Sequence, residues 1–391
     1  MKHRAQRVAV VGYGIAGAMV AHLLAAQGMH VTVFEAGSAQ AQQGAGLVLQ
    51  TPALSVLAHA HLLAPIVQLG QPIEKIITRF ALSQRQFELH FPERNTAFGI
   101  QRMALLGILR AAAAKAGCTV YWQTHIERAD AAEGFLWNAQ QNCFGAFDLI
   151  IATDGAHSLM RAQCSSIRWR KRNYASAAVV CLAELSALDS TLDIGPVLTQ
   201  EFCGNSHVSF WPVGASQLGG ARCTAIAMPI SSSELIGLDF NAWLQKLQKI
   251  SPNLATKVQA LAHKPTLLPY RYSDVQLDQC FQQRIVLLGD AAHAMSPQLG
   301  LGAGLALFDA WQLTQHLIRL PMALALPEFE RSRRTYVQRI QSISRIATPL
   351  FQSAHWLIAA LREPLFRLVG NSRMQAIALD VLRASGLPPQ K

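Results

Sequence analysis

The residue types best suited to chemistry lie late in the chain, in RIVLLGDAAHAMSPQLGLGAG, residues 284–304. An apolar run, Ile285 to Leu288, stops at Gly289 and a lone carboxylate, Asp290. His293, Pro297 and three alternating glycines (Gly300, Gly302, Gly304) then lead into a helical pattern. A carboxylate at a strand end accepts hydrogen bonds, and bare backbone lets a bulky group approach N–H donors. A second such place opens the chain. Gly12-x-Gly14-x-x-Gly17 stands between the apolar run VAVV and the helical pattern AMVAHLLAAQG, and HVTVFEA follows as a strand that carries Glu35. In that spacing the first glycine permits a tight turn, the second admits a pyrophosphate, and the third lets helix and strand pack closely. The helix N-terminus offers free N–H groups to phosphate, and Glu35 can accept from ribose hydroxyls. The site binds a dinucleotide; the glycines do not choose between NAD and FAD. A third strand, FGAFDLIIATDG, runs into Asp154-Gly155.

These residues need an α/β scaffold to bring them together. GAGLVL (44–49) reads as a glycine turn leading into a short strand or helix, and TPALSVLAHAHLL as a helix. Ile76 to His90 alternates as paired strands do. MALLGILRAAAAKAG is a helix stopped at Gly117, with Arg102 just ahead of it; CTVYWQTHIERAD and FLWNAQ are strands. Residues 174–230 are strand-rich, and DFNAWLQKLQKIS and NLATKVQALAH are helical. Most of 303–385 reads as helix with breaks near Pro321, Pro327, Pro349 and Pro364, and RWRKR (168–172) as an exposed loop. Only one stretch is a complete βαβ nucleotide fingerprint, so a nicotinamide cofactor would bind without a fold of its own.

Composition sets the class. The 391 residues are 51% hydrophobic and 15% charged, enough for a large core in two domains, the expected arrangement, or in one deeply interlocked domain, the alternative. Seven scattered cysteines without C-x-x-C argue against a disulfide framework and point to a reducing, cytoplasmic setting. No histidine or cysteine spacing predicts a metal site. Residues 8–29 carry no formal charge and are long enough to span a bilayer, but four glycines and His22 interrupt them, and the pattern changes from strand to helix midway. From residue 310 on, eleven basic residues face four acidic ones, holding +7 of the formal +11. A solvated helical face is the favoured reading and an anionic membrane surface the alternative. Nucleic acid is not expected, because no recognition motif accompanies the charge.

In order, the 12–17 glycine motif, Asp154-Gly155, and Gly289-Asp290 followed by P-x-x-G-x-G resemble the single-component FAD monooxygenases, the para-hydroxybenzoate hydroxylase-like aromatic hydroxylases, over nearly the whole chain. The resemblance implies a Rossmann-like FAD-binding domain of the GR2 type with an interleaved β-rich substrate domain. The FAD domain would comprise 1–75, 98–165 and 282–340, the substrate domain 76–97 and 166–281, and a C-terminal helical segment 341–391. It implies FAD contacts at Gly12, Gly14, Ile15, Ala16, Gly17 and Glu35; at Gly44, Ala45, Gly46, Leu47 and Val48 beside the ribityl chain; and at Arg102. Ile126 would cradle the adenine, and Asp154 and Gly155 would serve both FAD and NAD(P)H. Asp290 would accept from the ribityl chain, with Pro297, Gly300, Leu301, Gly302 and Ala303 against the isoalloxazine. Arg161 is either a partner for a pyridine-nucleotide phosphate or a helix-surface arginine.

Two departures stand out: Leu301 where the family often has a polar residue, with consequences for the flavin edge, and Ala152-Thr153 for Gly-Ala. The implied reaction uses NAD(P)H as transient co-substrate and O2 to hydroxylate an aromatic or similarly electron-rich small molecule through a flavin C4a-hydroperoxide, with no protein nucleophile and no metal. Phe210, Trp211, Arg222 and Tyr270 are the substrate candidates, although core packing or an exposed charge explains each as well. His293 is expected to be structural. The alternatives are a membrane-peripheral polyprenylphenol hydroxylase of quinone biosynthesis and a non-catalytic FAD-binding protein. A flavin halogenase lacks support, because W-x-W-x-I-P is missing. Homodimers are common in the family that the chain resembles, and no sequence feature marks an interface.

Overall fold

A computed structural model describes residues 6–39, 44–91, 97–185, 195–215, 222–261, 263–352 and 356–369. The first strand, Arg7–Val11, lies inside a six-stranded sheet between His30–Phe34 and Leu149–Ala152. Thr119–Tyr121 extends the sheet on one side, and Ile285–Leu287 then Phe281–Gln282 on the other. All neighbours are parallel except the last pair. Such strands are covered on both faces, hence the near-continuous apolar runs. Val8, Val10, Leu149 and Ile151 turn toward the helices Ile15–Ala25, Arg102–Lys115 and Gly302–Arg319. Ala9, Val11, Ile150 and Ala152 turn the other way, onto Ile126, Leu136 and Met160.

A second sheet of seven strands runs in the order 268–277, 169–185, 222–231, 206–215, 197–203, 75–80 and 85–90. Helices Phe240–Ile250 and Pro252–Gln259 cover one of its faces. The other carries a small sheet in which Ala97–Gln101 lies between Gly46–Leu49 and Gln71–Ile73. Residues 44–49 therefore form a turn and strand, and Ile76 to His90 does form a strand pair.

Three sequence expectations need correction. RWRKR is not a loop: Trp169 opens the strand Trp169–Leu185, and Arg170, Lys171 and Arg172 pair with Gln276, Val275 and Asp274. The partner strand satisfies the backbone there while Arg170 and Arg172 stay in solvent. Of the four prolines expected to break the C-terminal helices, Pro321 alone lies between helices rather than inside one. Met322–Gln352 runs through Pro327 and Pro349, and Trp356–Val369 through Pro364. Each proline removes one backbone bond, but buried Ala325, Leu326, Phe329 and Ile340 anchor the long helix, and packing overrides propensity. Nor is the basic tail uniformly solvated, since Arg333 and Arg362 are buried. Arg373, Arg383 and Lys391 lie outside the described residues. No helix among the described residues is long and apolar enough to cross a membrane.

Candidate functional site

The parallel register aligns Val11 with Ala152 and Ala152 with Leu287, and Phe34 with Val11 on the other side. The residues that follow these four strands, Glu35, Gly12, Asp154 and Asp290, thus emerge at one carboxyl edge. Ligands of open α/β sheets bind at that edge.

The glycines there divide into two kinds. Gly12 has φ +97°, and a Cβ on it would lie 2.5 Å from the Thr153 carbonyl oxygen; on Gly17 it would lie 2.0 Å from the Gly12 carbonyl. These two are bare because the protein itself fills the space. Gly14 has ordinary φ (−75°), and a Cβ there would meet nothing within 4 Å. Gly302 is likewise open, whereas Gly304 faces Ala53 in the core and is not part of the cradle. Open backbone at two helix starts, Ile15–Ala25 and Gly302–Arg319, fits an elongated group with phosphate at one end. Thr153, the departure from the family pattern, donates its hydroxyl to the Gly12 carbonyl at 2.7 Å and to the Val11 carbonyl at 3.0 Å, bracing the motif turn.

Glu35 is oriented in advance. Its carboxylate accepts from the Tyr13 N–H at 2.6 Å and the Gly37 N–H at 2.7 Å, and a carboxylate has further acceptor capacity for ribose. Arg110, which sequence reasoning missed, donates to the Tyr13 carbonyl (2.9 Å from Nη2) and stacks over the Tyr13 and Trp122 rings. Its signal was available: it stands two helical turns after Arg102. Arg102 begins its helix, and its N–H donates to the Ala45 carbonyl at 2.8 Å. Its side chain passes over Gly44, where a Cβ would lie 2.6 Å from the Arg102 Cδ. Gly46 opens a strand whose Leu47 and Val48 pair with Ile100 and Gly99, and Ala45 is buried. Gln50, also missed, ties this loop to the late turn by donating to the Leu299 carbonyl at 2.9 Å. Ile126 is buried against the far face of the parallel sheet.

Asp154 accepts from the Met160 N–H at 3.1 Å, while its other oxygen is buried with no partner. An orphaned carboxylate oxygen beside Gly155 (φ +81°) is the feature of a site that awaits a donor. Arg161 fits neither sequence reading. It is buried, donates to the Ala291 and Ala156 carbonyls (2.8 and 2.9 Å) and packs on Trp169, so it locks the two aspartate loops together. Burial lowers its pKa.

Asp290 is exposed at the start of the turn Asp290–His293, and Gly289 before it has φ +57°. Pro297 opens a single turn closed at Gly300 (φ +64°), and Gly302 and Ala303 begin the long helix. Leu301 turns inward, 4% exposed, into the core. His293 is buried with Nε2 2.7 Å from Asp309 Oδ2.

The substrate candidates separate by strand alternation. Trp211 is on the face toward Gly46, its indole Nε1 3.0 Å from where a Cβ on Gly46 would stand, buried and without a partner. The Tyr270 hydroxyl lies 3.2 Å from the corresponding point on Gly44. Phe210 is not brought to the site: it points to the opposite face, among Trp243 and Leu247. Arg222 begins its strand opposite Leu185, and its side chain lies outside what is described.

Residues 5–325 match the FAD binding domain family. The 3-amino-4-hydroxybenzoate 2-monooxygenase of Streptomyces cremeus is 28% identical, covering 91% of this chain and 89% of its own. The 2-heptyl-3-hydroxy-4(1H)-quinolone synthase of Mycobacteroides abscessus is 26% identical over 96% of this chain and 98% of its own. In fold, Klebsiella pneumoniae HpxO, solved with FAD and uric acid, superimposes with a TM-score of 0.81 at 19% identity, over 99% of each chain. The chain belongs to the FAD binding domain family, and with it to the FAD-dependent monooxygenases. FAD is its cofactor, and the open backbone at Gly14 and Gly302 and the orphaned Asp154 oxygen are consistent with that group.

Proposed function

We propose that this protein hydroxylates an aromatic or similarly electron-rich small molecule, with NAD(P)H as transient co-substrate and O2 as oxidant. The observation that carries the reading is the carboxyl edge itself: Glu35, Gly12, Asp154 and Asp290 follow four neighbouring strands of one sheet, and the backbone at Gly14 and Gly302 faces open space. FAD, when bound, supplies the redox chemistry and the activation of oxygen. The chain's residues bind, orient and exclude water. Glu35 and the N-terminus of Ile15–Ala25 take the adenosine and pyrophosphate end. Asp290 would accept from the ribityl chain, and the N-terminus of Gly302–Arg319 would offer its positive dipole end to the isoalloxazine. Trp211, set among Val48, Val213 and Ala225, and Tyr270, beside Gly44, supply two donors on the substrate side.

The residue assignments, the discontinuous division into FAD domain (1–75, 98–165, 282–340), substrate domain (76–97, 166–281) and helical tail (341–391), a homodimer and a cytoplasmic setting belong to the same proposal. The absorbance spectrum of the purified protein, followed by NADH and NADPH oxidation in air with a panel of phenols and other aromatic acids, tests it. A flavin spectrum, substrate-stimulated nucleotide oxidation and a product heavier by one oxygen are expected. A protein that binds FAD and never turns over with any of these would instead be a non-catalytic binder. One observation favours the membrane-peripheral alternative, a polyprenylphenol hydroxylase: Leu357, Leu361 and Leu365 are exposed one helical turn apart on Trp356–Val369. Salt-sensitive co-sedimentation with anionic liposomes would support it.

A further inference from the structure

The middle of the long helix Gly302–Arg319 holds a carboxylate with no exposed surface, Asp309. A charge in such a place is retained only with a full set of partners. Asp309 has four. Its Oδ2 accepts from the Gly289 N–H at 2.9 Å and lies 2.7 Å from His293 Nε2. Its Oδ1 accepts from Arg333 Nε at 2.8 Å and from Arg333 Nη2. Burial pushes its carboxyl up, but Arg333, His293 and the Gly289 N–H together hold it below the usual carboxylate range, so it stays ionised.

The contact with Gly289 points beyond packing. Gly289 has φ +57° and ψ −140°, a conformation open to glycine almost alone, and it immediately precedes Asp290. A Cβ on Gly289 would stand 3.0 Å from Ala16 Cβ in the first phosphate motif. One buried carboxylate thus fixes the turn that aims Asp290 and seats that turn against the first turn of the motif helix. Its strongest partner, Arg333, comes from a different element, the helix Met322–Gln352, where it also packs over Phe329 at 5.2 Å.

We propose that Asp309 is a positioning residue for FAD, and that Arg333 makes cofactor affinity depend on the docking of the Met322–Gln352 helix. The inference rests on the reading that Asp290 faces FAD. Coupling is reciprocal: if docking of the helix favours FAD, FAD must favour docking of the helix.

The test uses the full chain, stripped of flavin and titrated with FAD by fluorescence quenching, for the wild type and for Arg333→Met, Arg333→Lys, Asp309→Asn and Asp290→Ala. Arg333→Met and Asp309→Asn are expected to raise the FAD Kd about tenfold or more, with Arg333→Lys falling between. The rise in thermal midpoint on adding FAD should shrink in the same order, which a loss of general stability would not produce. In the wild type, FAD should slow amide hydrogen exchange across residues 326–341, a measurement that needs no variant and decides the matter if a variant does not fold. Wild-type FAD affinity in Arg333→Met, or exchange in 326–341 that FAD leaves unmoved, overturns the coupling. If Asp290→Ala binds FAD normally while Arg333→Met does not, the reading of Asp290 fails and the coupling stands.

Discussion

Gly14 and Gly17 stand three residues apart in one motif and are bare for different reasons. A methyl at Gly17 would collide with the Gly12 carbonyl at 2.0 Å, whereas at Gly14 it meets no protein atom. Gly17→Ala should therefore lower the thermal midpoint of the flavin-free protein. Gly14→Ala should leave its stability within about 0.5 kcal/mol of wild type yet weaken FAD binding tenfold or more, because the methyl occupies the pyrophosphate's approach. Paired melting curves and FAD titrations check both. Equal effects of the two variants on FAD-free stability would show that Gly14 also serves packing. Arg110 acts on the same loop through the Tyr13 carbonyl, and half-burial lowers its pKa, with Glu35 opposing that shift.

At the scale of elements, the helix Phe240–Ile250 illustrates how local pattern becomes packing. Asp239 caps it by accepting from the Ala242 N–H at 2.7 Å, and Trp243, Leu247 and Ile250 fall on one stripe, buried against the seven-stranded sheet. Asp239→Ala should cost about 1 kcal/mol and Trp243→Ala about 3–5 kcal/mol in urea unfolding. Trp243 lies on the face opposite Trp211, so FAD affinity measured well below the transition should be unchanged. A fall in affinity would mean that the two faces communicate. The alternation that separates these tryptophans is the same one that takes Phe210 away from the site.

At the scale of the molecule, the helix Trp356–Val369 closes over the outer part of the seven-stranded sheet through buried polar groups. His207 stacks on Phe202 at 4.8 Å, and Arg362 donates to the Gly204 and Leu350 carbonyls while packing over the same Phe202 ring. Burial, with Arg362 adding to it, pushes the His207 pKa down to about 3. The folded form keeps this imidazole neutral while the unfolded chain protonates it near its ordinary value of about 6.5. The unfolded state therefore binds more protons between those values. The contribution of His207 is complete above pH 6.5 and is lost as pH falls toward 3, by up to about 1.4 kcal/mol per pH unit. Urea midpoints measured from pH 7 to 4.5 should fall, and His207→Gln should flatten that fall by one proton's share. An unchanged slope in the variant would assign acid sensitivity elsewhere.

Much of the candidate site at the carboxyl edge was legible in the sequence because its signals are local. Glycine spacing, an apolar run that ends in a carboxylate and the change from strand to helix periodicity each reside within a few residues, and physical chemistry reads them without a partner. Thus the sequence by itself determined the α/β class, the glycine turns at Gly12, Gly14 and Gly17, and the strand ends at Glu35, Asp154 and Asp290. What only the tertiary structure decided depends on where distant segments meet. Arg161 became an internal tie because Ala291, 130 residues away, presents its carbonyl. Leu301 turned into the core, and Pro327 and Pro349 stayed inside a helix that packing holds. Asp309 did carry a sequence signal, a charge amid GLALFDAW, but its partners did not. A buried charge announces that it needs a counter-charge; only the fold says that the counter-charge is Arg333 and that Asp309 also holds the Gly289 turn that precedes Asp290.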